Sequence, residues 1–379
     1  MKWMNIEEIK PGTMLEQDIY SDGNSTVPLL YKGSLISGEY LEKLKERGIS
    51  AILIKDERLP ERVRNRLVDQ WKGSADYVPK AEPAIAPELK SEAINSVQDL
   101  FSSINEDDVH SSAQIIKNMD SVVEQLVNSI GKDQSTLINI SDLRSYDEYT
   151  YHHSLSVAVL SIAIGHFTDL NKKDLNELGK SALMHDIGKT LVPIEILHKT
   201  SKLSDDEFTV MKGHSAYGYK YLVDRNLGDD KLRGGVVAHH EKVDGTGYPL
   251  KLVGDKIPLW GKIISVADVY DALTSNRPYR TPMQPAEAIE YVMGSVGTAF
   301  DYDLVKAFVE KVDIYPVGHY IELSNGNTAV ILNNSQSNLR PMIRVMETGD
   351  TVDLYSDRNY LSVVIKRLIP EDEMNARAI

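Results

Sequence analysis

His239-His240-Glu241-Lys242-Val243-Asp244-Gly245-Thr246-Gly247-Tyr248-Pro249 is the stretch on which the reading of the chain turns. Two adjacent histidines end a predicted helix, and a glycine-rich turn closed by Tyr-Pro follows at once. Upstream of it stand His153, the pair His185-Asp186, and His214; downstream stands Asp268. Imidazole and carboxylate, with no sulfur, are ligand types that suit a borderline metal pair.

Helical spacing relates these residues to a core. Val157, Leu160 and Ile164 lie four, seven and eleven residues after His153 and share its face. Leu175, Leu178 and Ala182 lead at spacings of three and four to His185, after which Gly188 is expected to break the helix. Ser204-Asp205-Asp206-Glu207 reads as a capping box opening a helix with Phe208, Met211, His214 and Gly218 on one stripe. Leu232 and Val236 place His239 on another. After Pro258, a good opener for a helix, Ile264, Asp268 and Asp271 share a face. Each signal has a bland alternative: a core histidine satisfied by one hydrogen bond, a chance His-Asp dipeptide, a plain helix-to-helix turn. His152 points to a different face and is read as non-ligating. A carboxylate on an apolar helix face needs a partner, and a metal is the strongest available. Lys189, Arg277 and Arg280 add cations near the same helix ends; solvated surface positions are the plain reading for the arginines.

The composition sets outer limits. The chain has 379 residues, 42% hydrophobic and 26% charged, as expected of two or three ordinary globular domains. A net charge of −14 argues against a nucleic-acid polymer as partner. No run reaches the ~18 apolar residues of a membrane helix, and the first residues lack a signal peptide's apolar core. With no cysteine, thiolate ligands and disulfides are excluded, and a cytoplasmic location fits. The fold class expected is mainly α. Residues 1–56 read as a small α/β accessory module, with strands near Met14–Tyr20 and Ala51–Ile54 around a helix over Glu39–Arg47. Residues 57–87 read as a charged segment and a linker containing Pro79, Pro83 and Pro87. Residues 88–318 read as one helical domain, and 319–370 as a small β module. In that module, Asn325-Gly326 signals a hairpin, and Leu361–Ile365 is expected to supply a strand.

Taken in order, Tyr149–Ser154, His185-Asp186-Ile187-Gly188-Lys189, His214, His239-His240-Glu241, Asp244–Pro249, Asp268–Ser275 and Arg277-Pro278-Tyr279-Arg280 resemble the HD-GYP domain, the cyclic-di-GMP phosphodiesterase branch of the HD superfamily. The likeness covers roughly residues 142–318. It implies that His153, His185, Asp186, His214, His239, His240 and Asp268 are metal ligands. It also implies that Lys189, Arg277 and Arg280 meet phosphate, and that Gly247 and Tyr248 shape the pocket. Some members of the family hold a third metal through a glutamate one turn before the first histidine. That position is Tyr149 here, with Glu148 one residue off, so two ions are expected, iron or manganese by ligand type. Asp186 would bridge them, and Asp271 would hold the nucleophile or orient a histidine. The reaction implied is opening of cyclic di-GMP to pGpG, and on to GMP in many members, by a metal-bridged hydroxide. The rivals are an HD phosphohydrolase of another nucleotide and a catalytically silent sensor. The terminal modules are read as surfaces for a second copy or a signalling partner.

Overall fold

The computed structural model describes residues 2–6, 9, 13–14, 35–36, 41, 44–45, 51–54, 83–104, 109–130, 149–168, 170–199, 201–275, 282–334, 337–370 and 373–374. The chain divides into two compact units, Met1–Pro79 and Lys80–Ile379. In the first, strand β1 (Lys2–Asn5) pairs antiparallel with β4 (Ala51–Ile54), and β2 (Thr13–Met14) with β3 (Leu35–Ile36). Ile6, Ile36, Leu41 and Leu44 are buried there. The strand expected beyond Met14 and the segment 57–76 lie outside the described residues.

The second unit is mainly α with a small antiparallel sheet. Pro87 opens α1 (Pro87–Ser103), where its missing N–H costs nothing, and α2 (Val109–Ile130) follows. Helix α3 (Tyr149–Phe167) is buried on every side from His153 to Ala163, so the single apolar stripe expected for it is not what distinguishes it. A helix surrounded by others has no polar face to keep. Asn171 caps α4 (Lys172–Leu183) by accepting from the Asp174 amide at 3.0 Å. That helix stops at Leu183, before His185, and a 3₁₀ turn runs over Ile187–Leu191. Gly188 lies within this turn and does not break the helix. Its lack of a side chain serves contact instead, because a Cβ there would stand 1.9 Å from the His214 carbonyl oxygen.

After the short α5 (Ile194–Leu197), the capping box forms as expected, with Ser204 and Glu207 satisfying each other's amides at the start of α6 (Asp205–Lys212). The stripe predicted to run through it does not. Helix α6 ends at Lys212, and α7 (His214–Asp224) starts after Gly213. Phe208 is 49% exposed, while His214 and Gly218 are buried. Asp229 caps α8 (Asp230–Ala238), which ends with His239 as its C-cap. Helix α9 (Leu259–Thr274) begins after Pro258 and is buried nearly all round. Helices α10 (Pro285–Gly294) and α11 (Tyr302–Lys311) complete the helical part.

Five strands follow: β5 (Tyr320–Leu323), β6 (Thr328–Asn333), β7 (Met342–Val345), β8 (Thr351–Asp353) and β9 (Ile365–Ile369). Their order is β8-β7-β6-β5-β9. The hairpin signal holds: Tyr320 faces Val330 across β5–β6, and Gly326 takes φ +91° in the turn. The last strand is displaced from the expected Leu361–Ile365 to Ile365–Ile369. Leu361 and Val364 are exposed, and Ile369 is buried against β5. Ile321, Leu323, Ile331, Ile343 and Val345 belong to the same continuous buried core as helices α1, α2, α3, α4, α9 and α11.

Candidate metal centre

Five helices deliver the predicted ligands to one place. His153 comes from the first turns of α3, and His185-Asp186 from the turn after α4. His214 is the first residue of α7, His239-His240 follow α8, and Asp268 lies mid-way along α9. His153, His185, Asp186, His214, His239 and Asp268 are each at most 8% exposed. Their donor atoms fall into two groups, one of His153, His185 and Asp268, the other of Asp186, His214, His239 and His240, each within 4.8 Å of one another.

Asp186 joins the groups. Its Oδ2 lies 3.3 Å from His185 Nε2 and 3.8 Å from His153 Nε2. Its Oδ1 lies 3.4 Å from His214 Nε2 and 4.0 Å from His239 Nε2. One carboxylate thus turns one oxygen to each nest. Asp268 spans in the same sense, 3.2 Å from His153 Nε2 through Oδ1 and 3.8 Å from His240 Nδ1 through Oδ2.

The backbone fixes the tautomers. His185, His214 and His239 each donate Nδ1–H to the carbonyl three residues earlier, on Ala182, Met211 and Val236, at 2.7, 2.6 and 2.7 Å. That commits all three Nε2 atoms as lone pairs. Yet His214 Nε2 stands 3.3 Å from His239 Nε2 and 3.2 Å from His240 Nε2. The His214 and His239 lone pairs, aimed at a common point, repel unless a cation lies between them. His185 Nε2 and Asp186 Oδ1 are buried with no hydrogen-bond partner, a cost of ~1–3 kcal/mol each that coordination removes. These donors fit a nitrogen-and-oxygen metal pair.

For all of these groups but His153, the electrostatics agree with that use. Burial alone pushes Asp186 up, but the Lys189 ammonium beside it holds its carboxyl well below the usual range. Asp268 is likewise held far below it, against burial, by hydrogen bonding to His153. Burial keeps His214 and His239 neutral, and brings His240 down to about 3. His153 goes the other way, raised to about 9 because Asp268 and Asp271 outweigh its burial.

Asp271 accepts from His153 Nδ1 at 2.7 Å and from Ser275 Oγ at 3.1 Å, on the side of the ring away from the Asp268 contact. Of its two expected roles, this geometry favours orienting the histidine. Lys189 Nζ lies 2.5 Å from Asp186 Oδ2 and is 32% exposed. Arg277 and Arg280 lie outside the described residues, as do Glu148 and the side chain of Tyr149. His152 does not join either donor group.

The loop after His240 is closed by a residue to which sequence reasoning gave no role. Glu241 is 2% exposed. Its carboxylate accepts from the amides of Leu250, Lys251 and Leu252 at 2.6, 3.1 and 3.0 Å. Gly245 takes φ +81°, which only glycine adopts cheaply. Gly247 is buried, and a Cβ there would stand 2.4 Å from the Lys242 amide, so it packs the loop and does not face a ligand. The result is to lay the Tyr248 ring 4.7 Å from that of His240. Burial first, then Asp268 and Asp186, raise the Tyr248 phenol, which stays a neutral donor. His240 and Asp268 are the most open of the ligand candidates, with side chains 23% and 11% exposed, so the centre reaches solvent on this side.

The family model of the HD domain matches residues 114–304. The chain belongs to the HD-domain family. This HD-domain chain is 38% identical over 225 residues to a cyclic di-GMP phosphodiesterase of Pseudomonas aeruginosa, covering 59% of the chain and 54% of that protein. It is 36% identical over 201 residues to a 3'3'-cGAMP-specific phosphodiesterase of Vibrio cholerae, covering 52% and 41%. It is 34% identical over 174 residues to a cyclic di-GMP phosphodiesterase of Thermotoga maritima, covering 45% and 47%. The chain thus spans about half or less of the length of these relatives. No helix among the described residues is long and apolar enough to cross a membrane.

Proposed function

We propose that this chain is a metal-dependent phosphodiesterase that opens cyclic di-GMP to linear pGpG. The observation that carries the reading is Asp186, whose two oxygens face two separate nitrogen nests 3.3–4.0 Å away. Such a carboxylate would serve two divalent ions at once, and when bound these would supply Lewis acidity and a nucleophile at neutral pH. The names of the relatives in Pseudomonas and Thermotoga support cyclic di-GMP as substrate.

His153, His185 and Asp268 would hold one ion, His214, His239 and His240 the other, with Asp186 common to both. Manganese or iron suits a set without sulfur. Lys189, one turn from Asp186, would balance charge gathering on the phosphoryl oxygens, and Arg277 and Arg280 would add phosphate contacts. Asp271 keeps the His153 ring turned to its ion. Tyr248 offers a neutral phenol and a ring edge at the open side. A cytoplasmic setting fits a chain without cysteine.

A second reading, hydrolysis of a mixed guanine-adenine cyclic dinucleotide, is favoured by the Vibrio relative. Both are tested by turnover of each dinucleotide by protein purified without oxygen and supplied with Mn(II) or Fe(II). The expected result is cleavage of cyclic di-GMP that Asp186→Ala abolishes. Binding without turnover in the metal-loaded wild type would make it a sensor, and preference for the mixed dinucleotide would move the substrate.

A further inference from the structure

Lys212 is a cation that nothing in the catalytic account uses. It ends α6, two residues before His214, and is partly buried. Its Nζ lies 5.0 Å from the centroid of the Phe208 ring and 6.0 Å from that of Tyr248. Among the described residues no carboxylate forms an ion pair with it. In a chain with 56 acidic residues against 42 basic ones, a lysine near a metal centre held only by two rings is unusual company for a surface charge. Ring faces hold an ammonium weakly and leave its donors free, whereas a phosphate oxygen engages them strongly.

The position matters as much as the charge. The centre opens on its His240 and Asp268 side, where those side chains are 23% and 11% exposed. The Tyr248 ring lies 4.7 Å from that of His240 there, and Lys212 Nζ comes within 6.0 Å of the Tyr248 centroid. Lys189 is already committed to Asp186 at the metal pair. A cyclic dinucleotide carries two phosphodiesters, and only one can sit on the metals. The other must extend toward the open side beside Tyr248, whose ring Lys212 approaches.

We propose that Lys212, held between Phe208 and Tyr248, binds the phosphate of the cyclic dinucleotide that is not being cleaved, and so selects substrates with a second phosphate. This rests on the phosphodiesterase reading above. Small diesters with a single phosphate would reach the metals without it.

The test compares cyclic di-GMP with bis(p-nitrophenyl) phosphate in the manganese-loaded full chain. For Lys212→Met the ratio of kcat/KM for cyclic di-GMP to that for the small diester is expected to fall at least tenfold, mainly through KM, with metal content unchanged. Lys212→Arg, which keeps the charge, is expected to stay within about threefold of wild type. An unchanged ratio in Lys212→Met, or equal loss on both substrates together with loss of metal, would overturn the proposal. If wild type cleaves the small diester but not cyclic di-GMP, the phosphodiesterase reading fails by itself. The subsite is then read from calorimetric binding of uncleaved cyclic di-GMP: about tenfold weaker binding in Lys212→Met supports it, and equal binding overturns it.

Discussion

The histidine tautomers are set by the chain itself. Three imidazoles spend Nδ1 on a carbonyl three residues back, and His153 spends it on Asp271. The donor atoms are therefore arranged by the fold itself, which would lower the ordering cost of binding a metal. Asp271→Asn keeps the shape but not the charge beside His153. Loss of such an outer partner typically costs ~10–100-fold in metal affinity or activity, and titration with Mn(II) followed by metal analysis is expected to show a loss in that range. Asp313 gives a second residue-scale test, remote from the metals. Burial raises its carboxyl to about 6, partly offset by the Asn334 amide donating at 3.0 Å. A group whose folded value exceeds its unfolded one stabilises fully below the unfolded value and loses that contribution as pH rises through the folded one. Asp313→Asn is thus expected to match wild type near pH 4 and to become relatively more stable between pH 4 and 7, by ~1–2 kcal/mol after allowance for partial exposure. Chemical denaturation across that range measures the difference, and a pH-independent difference would contradict it.

At the scale of elements, the site depends on close approaches that the sequence announces only in part. Gly188→Ala places a methyl against the His214 carbonyl, so the 3₁₀ turn and α7 must separate. A cost of ~1–3 kcal/mol or more is expected, with weaker metal binding, both readable from thermal melts with and without Mn(II). Glu241→Gln leaves the ligands in place but gives up one of the oxygens closing the loop. It is expected to keep its metal while amides 250–252 lose protection in hydrogen exchange and cyclic di-GMP turnover falls several-fold. The convergence of these residues was legible because helix-ending histidines, a buried His-Asp and an acid on an apolar helix are odd choices for a core. The hairpin and the capping box were legible because they are local. What stayed hidden was non-local. Nothing near Glu241 in sequence says its partners stand nine to eleven residues on, and nothing at Phe208 tells an exposed ring from a core one. The strand at Ile365–Ile369 was misplaced because Leu361–Val364 is equally apolar, and only pairing with β5 decides between them.

For the whole molecule, the sheet and the helices share one core, while Met1–Pro79 forms a unit of its own. A chain reduced to residues 80–379 is expected to keep a cooperative melt and its full metal complement. One ending at residue 318 removes the strand residues from that shared core, and is expected to aggregate or melt without a sharp transition. Equal behaviour of the two truncations would contradict the shared core.

The arrangement of the metals tests the account most directly. Crystals of the anaerobically prepared, manganese-loaded chain, measured for anomalous scattering, are predicted to show two peaks about 3.5–4 Å apart. One should lie among His153, His185 and Asp268, the other among His214, His239 and His240, with Asp186 between them. A single peak, a third of equal height, or two peaks that do not share Asp186 would contradict it.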